Sequence, residues 1–345
     1  MIRQESFWIS ENHLGDFRRC ETSTHVGCRP PIGSSIPPGY SSIMPSKEFV
    51  DFSMAMASRP SPPAGESLAE QRARIDAAMS LLPARDDVKV EEVQLDGIPG
   101  LQCTSNAFSD FSPTVVYLHG GGFRIGSPLA YRSFAAHVAA FIGGRVIVPR
   151  YRLAPEDPYP AGLEDASRVW RHVAIRPELA RRSVVAGDSA GGGLAASVAL
   201  AHLESGPQPA GVACLSPWVD LTLTSETFES RASTDRLFSL GAALEARSMY
   251  LGSRSPEDPL VSPALGDWRG APPFFVAAGD TEVLLGDSLR LAERITSDGG
   301  DVELHVFADM PHIWIVNHPA FPEATRGLEL FASFVKRVTS RTPPA

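Results

Sequence analysis

The stretch Ser183-Val-Val-Ala-Gly-Asp-Ser-Ala-Gly-Gly192 decides the fold of this 345-residue chain. A four-residue apolar strand runs into a turn in which Gly187, Ser189 and Gly191 fill the pattern G-x-S-x-G, and an Ala- and Gly-rich helix follows. A lone G-x-S-x-G arises often by chance. Placed between a strand and a helix, it is the sharp turn that lifts a serine hydroxyl into the open, with the dipole and free N–H groups of a helix N-terminus beside it. A glycine-rich phosphate turn and a plain helix start are the competing readings.

Outward from this turn, short apolar runs alternate with helical segments. The strand-like runs are Thr114–Leu118, Arg145–Val148, Ser183–Ala186, Gly211–Leu215, Phe274–Ala278 and Val302–Phe307, with helices such as Gly192–Leu203 and Leu285–Ser297 between them. Apolar strands separated by helices predict an α/β fold with a mostly parallel central sheet and helices on both faces. Upstream, Val88 to Leu95 and Ile98 to Cys103 alternate like paired strands around an Asp96-Gly97 turn. Lys47 to Leu82 reads as two helical pieces broken at Arg59-Pro60-Ser61-Pro62-Pro63. Thr222–Pro256 interrupts the rhythm and reads as a helical, polar insertion on top of the sheet. Residues 1–45, rich in Pro, Gly and Ser, read as a disordered extension, and Met44 allows them to lie upstream of a chain that starts there.

Acyl chemistry needs more than a serine. His119-Gly-Gly-Gly-Phe123 follows the strand Thr114–Leu118, and consecutive glycines leave backbone N–H groups open toward an oxygen that becomes negative. The amides of Gly121, Gly122 and Ala190 are the candidate oxyanion donors. A flexible linker or a nucleotide turn are the alternatives, but no G-x-G-x-x-G follows the strand and no G-K-[ST] is present. Among nine histidines, His312 stands just past the last strand-like run, where active sites of α/β sheets collect. The order serine, acid, histidine then suits the turn. His119 reads as a loop anchor, while His172, His202 and His305 lie inside helices or a strand. The acid is divided: after Phe274–Ala278 come Asp280, Glu282 and Asp287, and these residues alone leave Asp280 and Glu282 level.

The chain carries 31 basic against 40 acidic side chains, a formal net charge of −9, which argues against nucleic acid and anionic membranes as partners. No run of eighteen apolar residues predicts a membrane span, and Met1 to Arg19 lacks the apolar core of a signal peptide. Cys20, Cys28, Cys103 and Cys214 have no metal-type spacing and read as free thiols of a cytoplasmic protein, with a Cys20–Cys28 pair as the exported alternative.

Taken together, His119-Gly-Gly-Gly-Phe123, Tyr151-Arg-Leu-Ala-Pro-Glu156, Tyr159-Pro-Ala-Gly-Leu-Glu-Asp165, Gly187-Asp-Ser-Ala-Gly-Gly192 and Leu215-Ser-Pro-Trp-Val-Asp220 resemble the bacterial hormone-sensitive-lipase-like (family IV) esterases of the α/β-hydrolase superfamily. The resemblance runs colinearly from about Val88 to Val338. It implies an α/β-hydrolase fold with a helical cap: cap helices over 46–84, a catalytic domain over 85–221 and 257–340, and a cap insertion over 222–256. Many members carry Asp-Pro-Leu-x-Asp about thirty residues before the histidine. Laid on Glu282-Val-Leu-Leu-Gly-Asp287, that motif puts Glu282 at the acid position and Asp280 two residues early.

The resemblance further implies a carboxylesterase for short- to medium-chain acyl esters, with Ser189 as nucleophile, His312 as base and Glu282 as acid, needing no metal or cofactor. Phe123 and Trp218 are candidates for the substrate pocket, with core packing as the rival role. Phe49, Phe52, Met54, Phe238, Met249 and Tyr250 are candidates for the cap side. A homodimer through Val302–Val338 is also implied. Other acyl bonds (lactone, N-acetyl amide, carbamate), acyl transfer to an alcohol, or plain ligand binding on the same fold remain the rivals, and cap residues would choose among the acyl bonds.

Overall fold

The fold grows from strands whose two faces are both buried. The computed structural model describes residues 45–340 apart from 60–62, 64 and 84, so the expectations for residues 1–44, including Cys20 and Cys28, lie outside the described residues. Eight strands are present among them: β1 (Val88–Leu95), β2 (Ile98–Ser105), β3 (Thr114–Leu118), β4 (Arg145–Pro149), β5 (Ser183–Asp188), β6 (Gly211–Leu215), β7 (Phe274–Gly279) and β8 (Val302–Phe307). They form one sheet in the order β1-β2-β4-β3-β5-β6-β7-β8. The β1–β2 and β2–β4 pairs are antiparallel and all others parallel. Asp96 and Gly97 both take positive φ, 52° and 80°, which matches the tight hairpin that joins β1 to β2.

The helices are α1 (Lys47–Ala57), α2 (Leu68–Ser80), α3 (Arg132–Ile142), α4 (Ala161–Val173), α5 (Pro177–Ala180), α6 (Ala190–Ala201), α7 (Thr227–Ser230), α8 (Leu240–Leu251), α9 (Leu285–Ser297) and α10 (Pro322–Thr339). Alternate strand residues divide between two cores. Val116, Leu118, Val185, Val212, Cys214, Phe274 and Val276 face α4, α6 and α9. Val115, Tyr117, Val184, Ala186, Ala213, Leu215, Phe275 and Ala277 face α3 and α10. This is why the strands read as apolar runs, each fully buried Val, Leu or Phe side chain contributing about 1.5–3 kcal/mol. Among the described residues no helix is long and apolar enough to cross a membrane.

Strand order reverses at β3. The chain leaves β3 through α3 to reach β4, then returns past β3 through α4 and α5 to β5. A crevice opens at the carboxyl ends of strands where connections diverge in this way, and here it lies between the loop after β3 and the turn after β5.

Two peripheral helices flank this frame without burying a residue of their own. α1 sets Phe49 and Phe52 on Phe321, at ring-centroid distances of 5.1 Å each, on the α3/α10 side of the sheet; Met54 is exposed. α2 opens with a Ser67–Glu70 capping box. It is fastened by polar bonds: Arg72 forks onto Glu156 at 2.8 Å twice and donates to the carbonyls of Arg124 (2.7 Å) and Ala154 (2.9 Å), while Ser127 donates to Asp76.

Phe275 tests the two-faced sheet. It is fully buried in β7, among His305, Phe331 and Phe334. Phe275→Ala is expected to lower stability by about 3–5 kcal/mol, read as a shifted denaturation midpoint in urea.

Candidate active site

The turn after β5 is held from three directions. Ser189 takes φ 52° and ψ −125° at the head of α6, a strained conformation for a residue with a Cβ. Its N–H donates to the Leu215 carbonyl at 2.9 Å, and its own carbonyl accepts from Trp218 N at 2.9 Å and Gly193 N at 3.1 Å. Gly191 packs so closely against the end of β3 that a Cβ would overlap the Leu118 and His119 carbonyl oxygens. Only glycine fits.

The Ser189 hydroxyl meets Nε2 of His312 at 2.9 Å, and Nδ1 of His312 meets Oε2 of Glu282 at 2.6 Å. All three residues are buried. Two loops supply the partners: Glu282 follows β7, and His312 follows β8. Oε1 of Glu282 accepts from Gly279 N at 2.5 Å and from the Ser216 hydroxyl at 3.0 Å, which in turn accepts from Ile313 N at 3.0 Å. Asp280 is turned elsewhere: its Oδ1 accepts from Asp309 N at 2.7 Å and ties together the exits of β7 and β8. The structure therefore brings Glu282, and not Asp280, to the imidazole. Burial works against the charged form of His312, but the bond to Glu282 and the carboxylates of Glu282, Asp235 and Asp188 outweigh it and hold the imidazole above its ordinary pKa.

Asp188 anchors the glycine loop. Fully buried, it accepts from Tyr117 (2.9 Å), Tyr131 (2.7 Å) and Gly120 N (3.0 Å), and burial pushes its carboxyl above the usual range against the pull of those donors. His119 is stacked on Tyr151 at 4.4 Å and donates from Nδ1 to the Gly120 carbonyl; burial lowers its pKa to about 4, so it sits as a neutral strut. Gly121 and Gly122 take φ of 119° and 61°. Among the described residues no protein acceptor takes the N–H of Gly121, Gly122 or Ala190, so all three donors are available to a bound oxygen.

Aromatic side chains close the site. Phe123 stacks on Tyr250 at 3.8 Å and leans on Trp218 at 5.7 Å. Phe238 bridges Trp218 at 5.3 Å and the His312 ring at 5.8 Å. Tyr250 and Phe238 come from the segment between β6 and β7 that also carries α7 and α8. Of the other histidines, His305 faces Phe275 from β8, His202 ends α6 and His172 lies exposed on α4.

Sequence reasoning passed over Ser216 and Asp235. Ser216 lay inside the quoted Leu215-Ser-Pro-Trp run, and the structure gives it a left-handed φ of 46° ahead of Pro217. Asp235 had no such signal.

The description of an α/β-hydrolase fold family matches residues 115–316. An acetyl-hydrolase of Streptomyces hygroscopicus is 34% identical over 66% of this chain and 76% of its own length. An esterase of Acinetobacter venetianus is 31% identical over 75% of this chain and 86% of its own. A crystal structure of an esterase from the bacterial hormone-sensitive lipase family superimposes with a TM-score of 0.79 at 32% identity, covering 86% of this chain and all of the other. The chain belongs to the α/β-hydrolase fold family, in its hormone-sensitive-lipase-like branch.

Gly191→Ala is the sharpest local test of the turn. The added methyl has carbonyl oxygens on two sides, so a loss of about 1–3 kcal/mol is expected, visible as a lower thermal midpoint than that of wild type.

Proposed function

We propose that this chain is a serine carboxylesterase that hydrolyses short- to medium-chain acyl esters through an acyl-enzyme on Ser189. The observation that carries the reading is the unbroken chain from the Ser189 hydroxyl through His312 to Glu282, at 2.9 and 2.6 Å, beside three unengaged N–H donors. Oxygen Oγ of Ser189 attacks the ester carbonyl carbon while Nε2 of His312 takes its proton. The carbonyl oxygen becomes the oxyanion, received by the N–H groups of Gly121, Gly122 and Ala190. As the tetrahedral intermediate collapses, the C–O bond to the leaving alcohol breaks and His312 returns the proton to that oxygen. Water, deprotonated by His312, then attacks the acyl-enzyme and frees acid and serine. Glu282 orients the imidazole throughout and stabilises its charged form.

Substrate size follows from the enclosure. The segment 222–256 and the helices α1 and α2 are assigned to a cap, supported on the insertion side by Phe238 and Tyr250 packing over Trp218, Phe123 and His312. Four buried aromatic rings beside a buried serine favour small acyl groups, in keeping with the acetyl-hydrolase named among the relatives. The proposal includes a cytoplasmic enzyme with free thiols, of which Cys103 and Cys214 are buried. It also includes a homodimer through β8, the half-exposed edge strand, with α10.

Hydrolysis of p-nitrophenyl esters from acetate to dodecanoate, with Ser189→Ala as the blank, tests the reading. Activity is expected to peak at short chains and to vanish in Ser189→Ala. Equal inertness of both proteins would overturn it and turn attention to lactones and amides. Glu282→Ala is expected to lower kcat by roughly 10²–10⁴-fold, and Asp280→Ala by less than about tenfold, since the imidazole is bonded to Glu282 while Asp280 accepts from Asp309 N.

The pH profile follows from His312. The base works unprotonated, and its pKa is held above the ordinary value of 6.5. The acid limb of kcat/KM is therefore expected above pH 6.5, with activity rising as the imidazolium loses its proton. A limb at or below that value would contradict the electrostatic account of the pair.

A further inference from the structure

We propose that Asp235, in the insertion between β6 and β7, is a positioning residue that couples the insertion to the triad, holding the Glu282 loop through Val283 and presenting the Phe238 ring to His312. The proposal rests on the esterase reading and deepens it.

Asp235 is buried beside the site, and its two oxygens face in different directions. Oδ2 accepts from the N–H of Val283, the residue after Glu282, at 2.8 Å. Oδ1 accepts from Leu237 N and Phe238 N, both at 2.9 Å, and so fixes the turn from which the Phe238 ring stacks on the imidazole at 5.8 Å with an interplanar angle of 21°. Neighbouring residues repeat the attachment. Thr234 donates to the Thr281 carbonyl at 2.8 Å, and Thr227 donates to the Val283 carbonyl at 2.6 Å while accepting from Gly286 N at 3.0 Å. The backbone on both sides of Glu282 is thus bonded to the insertion. The catalytic frame by itself supplies Gly279 N, Ser216 and the Thr281 bond to Met310.

The insertion also brings a charge. The charged groups facing His312 are Glu282 from the loop after β7, Asp188 at the end of β5, and Asp235. Glu282 faces His312 and Asp235. A buried carboxylate compensated by N–H groups retains its field in a poorly screened interior. It stabilises the imidazolium that forms as Ser189 attacks, so the insertion contributes to the transition state as well as to the walls of the pocket.

The experiment compares kcat, KM and the pH profile on p-nitrophenyl acetate for wild type, Asp235→Asn, Asp235→Ser and Phe238→Leu, with Ser189→Ala as the blank and thermal melts as a check on folding. Serine still caps the 237–238 turn through its hydroxyl while removing the charge, so whichever of the two Asp235 variants is folded is read. The expected result is a fall in kcat of roughly ten- to a hundredfold with KM changed far less, and an acid limb moved to lower pH by roughly half to one pH unit, because a lost negative charge makes the imidazolium a stronger acid. Phe238→Leu keeps the charge and should leave the limb in place. A loss that is uniform across pH, or no loss, overturns the proposal.

Should wild type be as inert as Ser189→Ala, the esterase reading fails by itself. Asp235 is then judged by the NMR titration of the His312 imidazole, assigned from His312→Ala. A shift to lower pH in the Asp235 variant supports the coupling, and an unmoved titration overturns it.

Discussion

The close seating of Gly191 against the end of β3 is the constraint from which the site follows. Because no Cβ intervenes, the head of α6 reaches the Leu118 and His119 carbonyls, and the strained serine turn comes to rest beside the glycine loop. Strand order reverses at the same place. Ser189 and the N–H groups of the glycine loop are therefore neighbours through the packing of two backbones, and Glu282 and His312 arrive later in the chain, on the loops after β7 and β8. The cost of the strained φ at Ser189, about 1–3 kcal/mol, is offset by the three backbone bonds that pin the residue.

Buried carboxylates organise the surroundings, and they do so mainly through N–H and O–H donors. Asp188 gathers Tyr117, Tyr131 and Gly120. Asp287, whose pKa burial and then Asp220 raise to about 8, accepts from Val219 N and Asp220 N just past Trp218. Glu282 draws in Gly279 and Ser216, and Asp235 draws in Leu237, Phe238 and Val283. A neutral donor satisfies a buried carboxylate without the desolvation of a second full charge. Glu282, Asp188 and Asp235 act together on His312.

Much of the frame was legible because burial on both faces writes itself into sequence. β3 to β7 showed as buried apolar runs, β8 at the half-exposed edge showed through the alternation Val-Glu-Leu-His-Val-Phe, and Asp96-Gly97 announced the hairpin. Ser189 and His312 were legible because a nucleophile turn and a loop after the last strand have local signatures. The choice between Asp280 and Glu282 was not legible from the residues alone. Two carboxylates two positions apart fit the same loop, and what separates them is the Asp309 N–H that captures Asp280, a contact between distant segments. Resemblance to a family favoured Glu282 before geometry was known. Asp235 was invisible for the same reason as Asp280's role: a carboxylate in a polar, irregular segment gives no periodic signal, and its partner lies 48 residues further on.

The carboxylate clamps act on main-chain N–H groups, and every residue except proline offers one. Val219, Leu237, Phe238 and Val283 are thus held at positions whose side chains the clamps do not read. A ring such as Phe238 can be exchanged while the backbone beneath it keeps its place. The main chain around the site is thus fixed independently of the side chains that stand on it.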